Sequence, residues 1–260
     1  MTTAIETYLN SLSENVLTID IEFKCITSLP NLTRFKNLKK LNCSYNELTS
    51  IPTLPQNLKV LDCYNNQLTS LPTLPQNLEY LNCFDNQLIS LPTLPQNLKE
   101  LNCLNNQLTS LPTLPQNLEE LYCSNNQLTS LPTLPQNLEK LYCYNNHLTS
   151  LHLNENLQEL YCANNQLISL RLNTKLVVMD YINNPIYEII NTNDIDKIKQ
   201  KLRVLNQFKY LYYSLKFKKR FRDLLWVKIR EPNIREKYSY AYLVANLHED
   251  TDLDDLLKNW

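Results

Sequence analysis

The hydrophobic positions of this chain recur in blocks of 20 residues. Residues 58–77 read LKVLDCYNNQLTSLPTLPQN and residues 78–97 read LEYLNCFDNQLISLPTLPQN, and the frame continues through residue 137. Self-similarity at a fixed period fixes the architecture before any local propensity is weighed. Within one unit Leu61 and Cys63 alternate with outward neighbours, the two-residue period of a short half-buried strand. In Leu71-Pro-x-Leu74-Pro each Pro lacks an N–H and pushes the residue before it out of the α region. The returning limb is therefore expected to be extended. Leu58, Leu61, Cys63, Leu68, Leu71 and Leu74 make up the apolar face of one unit. A single unit cannot bury that face alone, so successive units must stack, strand beside parallel strand, into a β-rich solenoid.

The ends depart from the frame, as terminal repeats should. The first unit (Ile19, Ile21, Ile26, Leu29) has Lys24 where later units have Asn, and its return, LPNLTRFKNL, is two residues longer. The last two units lose the Pro pairs (LHLNENL and RLNTKL) and one residue each, and Tyr181 replaces Cys in the final rung. The expected organisation is an N-terminal helical cap over residues 1–18, a solenoid of about nine turns over 19–190, and a helical C-terminal cap or segment over 191–260. Residues 3–12 would form a helix covering the exposed first edge of the sheet. After Asn184-Pro185 the spacing turns helical (Ile195, Ile198, Leu202, Leu205), with Asn193 or Asp194 as the cap. A second helical stretch around Phe221–Trp226 ends at Pro232, and a short helix closes the chain from about Asp252.

The motif L-x-x-L-x-C-x-x-N-x-L followed by L-P-x-L-P resembles the bacterial-effector type of leucine-rich repeat. Similar tandem repeats occur in proteins of large DNA viruses with low-GC genomes. The resemblance spans residues 19–190. It implies a leucine-rich-repeat horseshoe with parallel strands on the concave face and extended returns. It also implies that Asn46, Asn66, Asn86, Asn106, Asn126, Asn146, Asn165 and Asn184 bond backbone groups inside the turns. Farther on, the run from LWVKIREP to DLDDLLKNW resembles a C-terminal segment of large-DNA-virus proteins, a group that lends no activity.

Composition narrows the function classes. The 260 residues contain no Gly. Walker loops, dinucleotide fingerprints and nucleophile elbows all need Gly where the backbone turns sharply or meets a ligand, so none is expected here. The thiols Cys43, Cys63, Cys83, Cys103, Cys123, Cys143 and Cys162 fall one to a strand. Strands lie about 4.8 Å apart, so these thiols form a line and not the tetrahedron that zinc requires. They read as small core hydrophobes, and reduced thiols fit an intracellular home, cytoplasmic or alternatively nuclear. His147, His152 and His248 are scattered. Some effectors of the resembled family carry a ubiquitin-ligase domain with a catalytic Cys. No Cys follows Cys162 here, so that role does not transfer. No catalytic residue, cofactor, metal or small-molecule substrate is expected, and no membrane insertion, since no apolar run reaches about 18 residues.

What remains is a surface. Outward strand positions collect Tyr45, Tyr64, Tyr80, Phe84, Leu104, Tyr122, Tyr142, Tyr144 and Tyr161. Tyr offers a large rigid face with a polar tip, well suited to holding a protein partner from the host or another copy of the chain. The same rings can also stack laterally and stabilise the sheet, and the two readings are compatible. Charge is uneven. Residues 194–237 hold 14 basic and 5 acidic side chains, while residues 1–193 hold 10 and 16. Lys216, Lys218, Lys219, Arg220 and Arg222, with Phe217 and Phe221 between them, support an alternative: a nucleic-acid-associated protein using residues 209–230.

Overall fold

The computed structural model describes residues 4–207 and Lys218. The chain divides into two compact units, residues 1–206 and 207–260, and the first holds the repeats. Nine parallel strands follow one another in chain order: β1 (Thr18–Asp20), β2 (Lys40–Asn42), β3 (Val60–Asp62), β4 (Tyr80–Asn82), β5 (Glu100–Asn102), β6 (Glu120–Tyr122), β7 (Lys140–Tyr142), β8 (Glu159–Tyr161) and β9 (Val178–Asp180). The repeat length sets the register. Leu41 pairs with Leu61, Leu61 with Leu81, and so on to Leu160 beside Met179. Each central Leu is buried while its two neighbours stay partly open on most strands. The Pro-rich returns are extended with one tight turn at Gln-Asn, where Leu78 N–H bonds Pro75 C=O at 3.1 Å.

Polar groups inside a stacked coil need partners, and the rung Asn supplies them. Asn126 donates to Cys103 O (3.0 Å), Cys123 O (3.1 Å) and Ser124 O (3.1 Å), and its Oδ1 accepts from Leu108 N (2.9 Å). One side chain thus fixes its own turn and ties it to the turn before. Asn46 does the same for the first unit, receiving Lys24 N and Ile26 N. The shortened units compensate for their missing prolines in the same way. Buried Asn173 donates to Asn154 O and Leu157 O and accepts from Leu176 N.

Tight turning without Gly is achieved by a second Asn. Asn65, Asn105, Asn125, Asn145, Asn164 and Asn183 all have φ between 51° and 57°, and Asp85 has 54°. Asn and Asp are the non-Gly residues that tolerate this left-handed region best. The Asn-Asn pair in each unit therefore holds one residue for the backbone bend and one for the hydrogen bonds. In the first two turns the bend falls to Phe23 (φ 54°) and Tyr45 (φ 51°) instead.

Both ends of the coil are covered. At the start, helix α1 (Ala4–Ser11) buries Ile5 and Leu9, and the Arg34 guanidinium bonds the Leu9 carbonyl. At the finish, Tyr181 is buried in the position of the rung thiol. Its hydroxyl bonds Thr192 O at 2.8 Å and its ring meets Tyr187 edge-on. Helix α2 (Pro185–Ile190) follows. Residues 195–207 are helical, capped by Asp194 Oδ1 through Asp196 N and Lys197 N, with Ile198 and Leu202 buried.

Candidate binding surface

Three columns of side chains run across the outward face of the sheet, because neighbouring strands are in register. The first follows the residue before each central Leu: Lys40, Val60, Tyr80, Glu100, Glu120, Lys140, Glu159. The second follows the residue after it: Asn42, Asp62, Asn82, Asn102, Tyr122, Tyr142, Tyr161. The third lies two residues further on, at Glu22, Ser44, Tyr64, Phe84, Leu104, Ser124 and Tyr144. Tyr64, Tyr80, Phe84, Leu104, Tyr122, Tyr142, Tyr144 and Tyr161 are all half-buried on this face.

The rings separate into two groups. Near the start of the coil, Phe23 stacks on Tyr45 (centroids 4.3 Å apart, planes 13° apart). Tyr45 then meets Tyr64 edge-on at 5.0 Å, and Tyr64 lies 6.5 Å from Phe84. Farther along, Tyr122, Tyr142 and Tyr161 follow one another at 4.9 and 4.4 Å. That is one strand spacing per ring, as their shared position requires. Leu104 interrupts the third column between the groups, while Tyr80 and Tyr144 make no ring stack among the described residues. Phe23 belongs to the first group, although it was not among the expected surface residues. Its signal was present in the sequence: it stands where later units carry the bend Asn or Asp. Beside it a groove of about 510 Å3 is lined by Phe23, Cys25, Tyr45, Asn66, Gln67 and their neighbours.

With this geometry in view, the family model for leucine-rich repeats matches residues 36–76 and 116–155. These turns are leucine-rich repeats. Solved structures agree. YopM from Yersinia enterocolitica is 37% identical with a TM-score of 0.65, the match covering 69% of this chain and 40% of that one. A Shigella effector leucine-rich-repeat domain is 27% identical (TM-score 0.53, covering 73% and 80%). InlJ from Listeria monocytogenes, whose functional domain includes a cysteine ladder, is 30% identical (TM-score 0.51, covering 65% and 44%). The chain therefore spans well under two-thirds of the YopM chain it matches. No curated protein matches the sequence significantly. Leucine-rich-repeat solenoids are typically non-enzymatic scaffolds, and domains of this kind generally bind proteins.

The interior of the leucine-rich repeats is chemically quiet. All seven rung thiols are buried, and burial pushes those of Cys43, Cys83 and Cys123 up to about 12. Cys63, Cys103 and Cys143 are raised well above the ordinary thiol value by burial and then by their neighbouring thiols. Several rung thiols spend their S–H on the next turn, Cys63 bonding Asn82 O at 3.4 Å. Cys25, by contrast, is exposed. Among the described residues no group of three or more His, Cys, Asp or Glu could hold a metal ion, and no helix is long and apolar enough to cross a membrane.

The strand face is where charge gathers. It carries the carboxylates Asp20, Glu22, Asp62, Glu100, Glu120, Glu159 and Asp180 against Lys40 and Lys140. Most are engaged. Lys140 pairs with Glu120 at 3.0 Å and Lys40 with Asp62 at 3.6 Å. Tyr122 bonds Glu120, Tyr142 bonds Glu159 at 3.1 Å, and Tyr64 bonds Glu22 at 3.2 Å. Asp20 and Asp180 each accept a backbone N–H two residues on. Glu120 titrates below its usual value: burial alone would raise it, but the bonds from Tyr122 and Lys140 outweigh that. Burial, then the bond to Glu159, pushes Tyr142 up to about 12. Of the basic run, Lys216, Lys219, Arg220 and Arg222 lie outside the described residues. Lys218 is helical and half-buried.

Proposed function

We propose that this protein is a non-enzymatic interaction module that holds a protein partner against the strand side of its solenoid, with Tyr122, Tyr142 and Tyr161 at the centre of the contact and Tyr64, Tyr80, Phe84, Leu104 and Tyr144 around them. The observation that carries this reading is the ring row itself. Three Tyr side chains follow one another at 4.4 to 4.9 Å in a column whose earlier members, Asn42, Asp62, Asn82 and Asn102, are polar, and beside them run Glu120, Lys140 and Glu159. Aromatic anchors inside a polar rim are how binding hot spots are commonly built. Interior thiols kept reduced, and bacterial-effector relatives, support an intracellular setting. The test is capture of a partner from a lysate of the native host by the full chain and by Tyr142→Ala. The variant should lose about 2 kcal/mol or more of affinity for the captured protein, while circular dichroism shows the fold retained. Unchanged affinity, or a loss that merely tracks unfolding, would refute the proposal.

Binding of nucleic acid through residues 209–230 is the second reading, supported by the excess of basic over acidic residues in 194–237. Phosphate binding weakens steeply as salt rises, so an affinity nearly independent of salt would exclude it.

A further inference from the structure

Six of the seven carboxylates on the strand face have an ion-pair or hydrogen-bond partner. Glu100 has neither among the described residues. It sits at the midpoint of the nine-stranded sheet, between Tyr80 on β4 and Glu120 on β6. Its side chain is half-buried. Burial and then the neighbouring Glu120 charge raise its carboxyl above the usual range, and Lys140, already paired with Glu120, offsets this only in part. Glu100 stands half-buried in an in-register column, next to a second negative charge. The tyrosines on either side respond to it: burial, Asp62 and Glu100 raise Tyr80, and burial, Glu120 and Glu100 raise Tyr122. A carboxylate kept where folding disfavours its charge is a stability cost, and such costs collect at sites selected for function.

We infer that the partner presents an arginine-bearing segment to the strand face, one guanidinium seating at Glu100 beside Tyr80 and Tyr122. This rests on the interaction reading above and adds the chemistry of the partner. Charge complementarity selects a cation, since the face carries seven carboxylates against two lysines, both already paired. The neighbours favour arginine over lysine: a planar guanidinium bonds a carboxylate through two N–H groups and lies flat on a Tyr ring, whereas an ammonium does the first less well and is more strongly hydrated.

The experiment titrates the full-length chain into a fluorescent peptide of alternating Arg and Ala and follows anisotropy. Companion peptides carry citrulline or Glu in place of Arg. The Arg peptide should bind and the other two should not. Glu100→Gln should weaken binding about tenfold or more, the scale of one charge-assisted hydrogen bond. The same variant should melt at a higher temperature than the parent, because it removes a charge that folding penalises. Glu119→Gln, which alters an exposed carboxylate just outside the strand, should leave binding unchanged. Equal losses in the two variants would mean diffuse attraction to a negative surface and would overturn the seat at Glu100. Equal binding of the citrulline peptide would overturn the cation. Self-association of the chain that disappears in Glu100→Gln would make its own basic run the occupant, and the partner would again be wrong. Because the interaction module itself is judged by Tyr142→Ala on a captured protein, failure here leaves that reading standing.

Discussion

Position 63 and its equivalents hold a thiol in seven turns. Position 62, one residue away on the other face of the same strands, changes from Asn to Asp to Tyr along the coil. The inward position is repeated because each turn packs on a copy of itself: side chains of identical size, in register, fill the space between turns without voids. Outward positions face no such constraint. They can diverge turn by turn, and the two aromatic groups and the Glu100 carboxylate, unpaired among the described residues, arose there. In a solenoid, repetition marks what the fold needs, and departure from repetition marks where to look for what it does.

Substitutions on the two faces should therefore differ greatly in cost. The largest effect is expected for Cys103→Asp, which places a carboxylate in a fully buried rung between two other thiols. The loss should be on the order of 5 kcal/mol, enough to melt the neighbouring turns at room temperature. Denaturation followed by circular dichroism measures it. A Cys103→Asp protein as stable as its parent would show that the rung is not closed to water. Asn126→Ala comes next. It strands Leu108 N–H and the carbonyls of Cys103 and Cys123, and should cost on the order of 3 kcal/mol, since each buried group left unpaired costs about 1–3 kcal/mol. Its neighbour gives the contrast. Asn125→Ala gives up the tolerance of a left-handed backbone (φ 52°) and two side-chain bonds, one donated to Asn105 and one accepted from Asn145, and should cost about 1–2 kcal/mol.

Thiol chemistry sharpens the same division without mutation. A water-soluble thiol reagent should label Cys25 alone in the native protein and all eight Cys after unfolding. The rung thiols also set an alkaline limit. Their folded values, about 12 for Cys43, Cys83 and Cys123, lie above the ordinary value of 9.0. The native state thus holds protons that the unfolded chain releases. This contribution to stability is complete below pH 9 and is lost as pH rises toward 12. Melting temperature should fall steeply over that window, and a flat profile would contradict the burial of the ladder.

Much of this was legible in the sequence, for a physical reason: a period of 20 with fixed Leu, Cys, Asn and Pro positions leaves one way to bury the apolar face. The strands, the extended returns and the line of seven thiols were all open to reading from Leu61, Cys63 and Leu71-Pro. The bend was overlooked. The spacing of the units marks Asn66 as the rung residue and gives no role to Asn65, although a Gly-free chain that turns this tightly must place some residue at positive φ. That Phe23 and Tyr45 take the bend in the first two turns follows only once the Asn series is seen to occupy it. The ring row was legible too, from the shared position of Tyr122, Tyr142 and Tyr161 in successive turns. Tyr142 and Tyr144 share a face by alternation, yet Tyr142 is joined to Tyr122 and Tyr161 while Tyr144 stands apart, because the residues at its position in the flanking turns are Ser124 and Ala163.

The smallest expected effect separates the two things a surface tyrosine can do. Tyr142 contributes a ring, stacked at 4.4 Å on Tyr161, and a hydroxyl, which donates to Glu159 at 3.1 Å. Tyr142→Phe keeps the ring and removes the bond. On a half-buried face with Glu159 free to turn to water, the stability loss should be about 0.5–1 kcal/mol. Its alkaline behaviour carries a sign as well. The folded hydroxyl titrates near 12 against an ordinary 10.0, so it stabilises the protein fully below pH 10 and ceases to do so as pH climbs toward 12. Tyr142→Phe should therefore melt closer to its parent at pH 11 than at pH 8. If the partner is held by ring contact, as a hot spot of stacked tyrosines requires, the same variant should bind it almost as well as the parent does, whereas Tyr142→Ala should not. Equal damage from the two substitutions would move the weight of the contact from the ring to its hydroxyl, and the stacked row would then be a feature of the sheet alone.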